Sequence, residues 1–107
     1  MKILDSLVEM VRVVRGLAGK VARHDRGLAQ QMKRASTSAA LNGSEGIWAK
    51  AGKRRSRLED AVNSARETLM ALRLAGACGY LPAGEAAAVM RELDGVIAVL
   101  WVLAYRR

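Results

Sequence analysis

Residues 56–82 read SRLEDAVNSARETLMALRLAGACGYLP, and their spacing settles the architecture. Leu58, Ala61, Val62, Ala65, Leu69, Leu72 and Ala75 recur at the three- and four-residue intervals that bring apolar side chains onto one face of an α-helix. Ser56, followed three residues later by Glu59, fits the reciprocal capping pattern of a helix start, so a helix is expected to begin near Arg57. It should stop at Cys78-Gly79, because Gly79 can adopt the left-handed conformation that terminates helices. Leu81-Pro82 then opens another helix, with proline tolerated in a first turn and Glu85 well placed for the helix dipole. Two helices joined by so short a stop must run antiparallel.

The same period extends outward on both sides. Towards the N-terminus, Leu4, Leu7, Val11, Val14, Leu17, Ala18 and Val21 form one stripe from about Lys2 to Val21, with Asp5, Glu9, Arg12 and Arg15 opposite. Residues 23–27 carry no apolar side chain and read as a connection. A second helix is expected from about Arg26 to Ala51, with Leu28, Met32, Ala35, Ala39, Asn42 and Gly46 on successive turns. Gly43 and Gly46 would each cost roughly 1 kcal/mol inside it, so either the helix breaks or a neighbouring backbone comes close. Gly52 marks the expected boundary before the third helix. Towards the C-terminus, Val89, Leu93, Val96, Ile97, Leu100 and Leu103 form an inner face. The pattern predicts an all-α, antiparallel up-down-up-down four-helix bundle, a single domain over 1–107. Val99, Trp101 and Val102 fall outside that inner face, and a second apolar face predicts an oligomer interface.

Composition narrows the function. The 107 residues contain one Pro, one Cys, one His and no Phe, which excludes a disulfide framework, a cysteine-rich metal centre and a turn-rich β-barrel. No metal, cofactor or catalytic residue is expected, and the lone Cys78 reads as a small apolar filler suited to a reducing cytoplasm. The longest apolar run, Val96 to Tyr105, is half a membrane span and reads as a buried helix. Net charge is +8, and it is uneven: residues 1–57 hold 13 basic and 4 acidic side chains, residues 58–107 hold 5 and 6. Such an excess makes a polyanion the first partner to consider.

Several short motifs occur in order: Gln31-Met32-Lys33-Arg34-Ala35-Ser36, Asn42-Gly43-Ser44-Glu45-Gly46, Ala61-x-x-Ser64-x-x-Glu67, and Leu74-Ala75 ending in Gly79-Tyr80-Leu81. Over about residues 28–103 the chain resembles the bacterial four-helix-bundle family encoded within intervening sequences of large-subunit ribosomal RNA genes, which includes the accessory variability proteins of diversity-generating retroelements. It departs from that pattern at Gly43 and Ser44, where the family has Ile-Ala, and at Cys78, where an apolar residue is usual. The resemblance implies a small non-enzymatic homo-oligomer. In the accessory variability proteins this is a pentameric basic barrel that binds nucleic acid and a reverse transcriptase.

The sharpest local signal is Lys50, Lys53, Arg54, Arg55 and Arg57, five cations in eight residues. In an up-down bundle they lie at the pole shared with Lys2, Arg106 and Arg107, while Lys20, Arg23 and Arg26 make a smaller patch at the other end. Lys33 and Arg34 either extend this polyanion surface or keep the second helix soluble. None of Trp48, Tyr80, Trp101 and Tyr105 lies inside the basic run, so contacts to the phosphate backbone are expected and base stacking is not. Asn42, Glu45, Ser64 and Glu67 read as a structural polar network with Arg34 or Arg66 as countercharge; di-metal chemistry would need a Glu-x-x-His pattern that is missing. The functional expectation is an oligomeric accessory protein binding RNA or DNA. The competing expectation is a scaffold that recognises an acidic protein.

Overall fold

A computed structural model describes residues 2–106 of the chain. It is an all-α four-helix bundle: α1 (Lys2–Val21), α2 (Arg26–Trp48), α3 (Ala51–Ala77) and α4 (Ala83–Tyr105), with connections of a few residues that force antiparallel neighbours. The core is aliphatic. Leu7, Val14, Met32, Leu58, Leu72, Leu93 and Leu100 are sealed from solvent, as are Ala18, Ala39, Ala61, Ala65 and Ala75.

The small residues explain how a chain without Phe fills its interior. Gly43 and Gly46 lie in unbroken helix and are buried, so close approach, not a break, accounts for them. A Cβ at Gly43 would come within 2.8 Å of Leu7 Cδ1, the tip of a flexible side chain. A Cβ at Gly46 would meet Leu58 Cγ at 2.7 Å and the Leu58 backbone nitrogen at 3.1 Å. The missing side chain at Gly46 lets α3 close on α2, and the one at Gly43 leaves room for Leu7 of α1. Buried Ser36 and Thr68 direct their hydroxyls to backbone carbonyls of Lys33 and Ser64 within their own helices.

Boundaries at one pole match the sequence reading. Asp25 caps α2 by accepting a hydrogen bond from the Leu28 N–H at 2.9 Å. Beyond α3, Gly79 adopts φ +74 and its N–H donates to Gly76 O, while the Tyr80 N–H donates to Ala75 O. That pair of bonds closes the last turn in the Schellman arrangement.

The α2–α3 corner differs from its expected form. Helix α2 ends at Trp48, and α3 begins at Ala51, so Ser56 and Gly52 lie within α3 and cap nothing. Two extended residues, Ala49 and Lys50, make the whole connection. Buried Leu58 anchors the early turns of α3 in the core, which lets the helix start upstream of the capping pattern. The basic cluster therefore lies on the opening turns of a helix and not in a loop. Cys78 is exposed at the helix end and fills no interior space.

Candidate nucleic-acid interface

The corner concentrates cations where helix electrostatics disfavour them. The first turn of α3 carries no acidic residue, its N-cap Lys50 offers no side-chain acceptor, and Lys53, Arg54, Arg55 and Arg57 follow. A helix N-terminus already presents unpaired N–H groups and about half a positive charge, so each added cation there costs a few tenths of a kcal/mol. Ala51 has φ +49, a left-handed backbone that costs a residue with a Cβ about 1 kcal/mol. An uncapped, strained and positively charged helix start is poor for stability. It is well suited to an anion.

The five cations have different surroundings. Lys50, Lys53 and Arg55 are exposed. Arg54 is half-buried and donates to the carbonyl of Ile47 at 2.9 Å and of Gly46 at 3.4 Å, closing the end of α2. Arg57 pairs with Glu45 across α2 and α3 at 3.4 Å. Arg54, Arg55 and Arg106 line an open cleft of about 600 Å³ at the tip of the bundle, floored by Ala51, Gly52 and Ala104. Arg107, expected at the same pole, lies outside the described residues. Half-buried Lys33 and exposed Arg34 line a shallow depression on α2 with Arg15, Leu41, Glu45 and Arg57, a second basic surface beside the first.

The polar residues of α2 and α3 do not form one network. Asn42 donates to the Ser38 carbonyl and hydroxyl, and the Ser38 and Ser64 hydroxyls lie 2.8 Å apart, bridging the two helices. Glu45 turns outward to Arg57, and Glu67 is exposed on the outer side of α3. Neither Arg34 nor Arg66 serves as their countercharge; the Arg66 guanidinium lies over the Trp101 ring, 5.7 Å from its centroid. Among the described residues, no group of three His, Cys, Asp or Glu could hold a metal ion, and no helix is long and apolar enough to cross a membrane.

Steps of about 100° per residue put Val99 and Val102, three residues apart, on neighbouring parts of one side of α4, while Trp101 points to a different side. Val99 lines an open groove between α1 and α4 with Ile3, Met10, Val89 and Val96, bordered by Asp5, Glu9 and Glu92. Val102 faces outward with 59% of its surface exposed. Trp101 lies on the α3 side and packs against Tyr105, with centroids 4.5 Å apart and planes at 50°. Tyr105 in turn lies beneath Arg55, 4.9 Å from guanidinium carbon to centroid. An aromatic side chain thus does sit against the basic run, contrary to the sequence expectation. The approach joins α3 to α4 and so leaves no local trace, although the one-turn spacing of Trp101 and Tyr105 signals that they share a face. Tyr105 donates to Glu59 at 2.6 Å, and that hydrogen bond, with some burial and the Glu59 charge, raises the phenol above its ordinary range.

Residues 3–101 match the model of the family described as 23S rRNA-intervening sequence protein. The chain belongs to this family. Membership spans α1 as well as the motifs of α2 and α3, and all of α4 except its last turn. The same fold occurs in a solved structure of unknown function, a protein of the S23 ribosomal protein family from Bacteroides thetaiotaomicron VPI-5482. The two share a TM-score of 0.88 and 18% sequence identity over 96% of this chain and 98% of that one. No curated protein matches the chain. Family membership accounts for the bundle, and the α2–α3 corner must be read from its own residues.

Proposed function

We propose that the protein is a non-catalytic cytoplasmic accessory factor that binds the phosphate backbone of RNA or DNA through the α2–α3 corner and assembles as a homo-oligomer. The observation that carries this is the corner itself: an uncapped helix start with Lys50, Lys53 and Arg55 exposed beside the arginine-lined cleft. Lys33, Arg34 and Arg57 extend the surface along α2. Phosphate binding converts the local electrostatic penalty into affinity by releasing counterions. In a ring of subunits the corner would repeat as a basic belt, with the apolar α1–α4 groove around Val99 and the outward Val102 covered by neighbours. The resemblance to accessory variability proteins extends the reading to a pentamer and to a reverse-transcriptase partner in a diversity-generating retroelement.

Gel shifts over a salt series test the central part. Binding at low salt that weakens linearly in log salt is expected, with K50E/K53E reducing both affinity and slope. Absence of low-salt binding, or indifference to that double reversal, refutes it. Light scattering on the pure protein tests the oligomer. A pull-down that retains one acidic protein after nuclease treatment would establish the scaffold reading instead.

A further inference from the structure

Phosphate contacts alone do not distinguish a duplex from a single strand, but the residues beside the cleft can. On the α3–α4 face, Arg66, Trp101, Tyr105 and Arg55 form a continuous series of guanidinium, ring, ring and guanidinium. Trp101 is 46% exposed and Tyr105 39% exposed, so large aromatic surface remains open to solvent. Each ring is oriented from one side by its arginine, and the Tyr105 hydroxyl is fixed by Glu59. Arg55 belongs both to this series and to the cleft lined by Arg54 and Arg106, so aromatic and phosphate-binding surfaces are contiguous.

We propose that Trp101 and Tyr105, held by Arg66 and Arg55, are a stacking platform for unpaired nucleobases, and that the ligand is single-stranded RNA or DNA. The proposal rests on the phosphate-binding reading above. Bases in a duplex are stacked on one another and closed to such rings, whereas the bases of a single strand can be splayed onto them. Guanidinium planes stack on bases as well as on rings, so the four side chains offer a run of planar surfaces beside the sites that take the phosphates. Glu59 accepts the Tyr105 hydroxyl, and Arg55 and Arg66 over the two rings favour an anionic polymer.

Trp101 fluorescence in a W48F background reads this directly, using oligo-dT, oligo-U, a DNA duplex of equal length, and heparin as a polyanion without bases. The expected result is saturable quenching by one or both single strands and none by duplex or heparin. W101A should weaken single-strand binding about tenfold, W101F should restore most of it, and duplex and heparin affinity should be unchanged. The two single strands distinguish RNA from DNA. Equal loss on single strand and duplex, or no loss, overturns the platform and leaves backbone binding standing. A change in W101A particle mass by light scattering also overturns it, because the ring would then be a subunit contact. If wild-type protein binds none of the four polyanions at low salt, both readings fail.

Discussion

At the pole where α1 meets α2 and α3 meets α4, Asp25 caps one helix and Gly79 closes another. There Lys20 pairs with Glu85 at 2.9 Å, and His24 stacks on Tyr80 at 5.1 Å. At the opposite pole, α3 starts without a side-chain cap, through a left-handed Ala51, and with four cations in its first two turns. Both poles belong to one bundle of similar helices, so the difference is not a consequence of the fold. Stability was left unclaimed at the α2–α3 corner, as is common where a surface serves binding.

Substitutions at the two poles test whether this contrast is real. The largest effect should come from G46A, which sets a Cβ against the Leu58 backbone where α2 and α3 meet nearest the basic corner; a loss of about 2–3 kcal/mol in urea unfolding is expected. G43A should cost less, because Leu7 can move its side-chain tip. At the closed pole, G79A should lose about 1–2 kcal/mol through its left-handed backbone, and D25A about 1 kcal/mol through the lost cap. At the uncapped start of α3 the sign reverses. A51G should gain up to about 0.5 kcal/mol, because relief of the left-handed alanine outweighs the added freedom of the unfolded chain. A loss in A51G would show that Ala51 stores no strain.

The smallest effect concerns pH. Folding raises the Tyr105 phenol, so its contribution is present below the ordinary value near 10 and is lost as pH rises through the higher folded value. Absorbance at 295 nm in a Y80F background should show E59Q titrating at lower pH than the parent, since the Glu59 acceptor is the first cause of the shift.

Much of this bundle is legible in the sequence. Helical spacing marks all four elements and their antiparallel order, and Gly79 and Pro82 mark the turn between α3 and α4. The α2–α3 boundary is not legible, because Ser56 and Glu59 imitate a capping box while the anchoring of Leu58 extends α3 upstream. Charge is legible as a cluster but not by residue: Arg54 closes α2 and Arg57 holds Glu45, leaving Lys50, Lys53 and Arg55 exposed. The Arg66–Trp101–Tyr105–Arg55 series depends on the register of α3 against α4, a long-range property that local periodicity does not carry. Gly43 and Gly46 stand out in the sequence, and packing against α1 and α3 is needed to choose between a break and a close approach.

Stability and binding measured together, in K50E/K53E and in R23E/R26E, a matched charge reversal at the other pole, decide whether the α2–α3 corner is a binding surface. K50E/K53E should be at least as stable as the parent in urea, yet bind an oligonucleotide more weakly and with a salt slope smaller by about 1 for each phosphate no longer neutralised. R23E/R26E should leave binding nearly unchanged. Equal weakening of binding in both variants, or reduced stability in K50E/K53E with binding intact, would show that the corner has no such role.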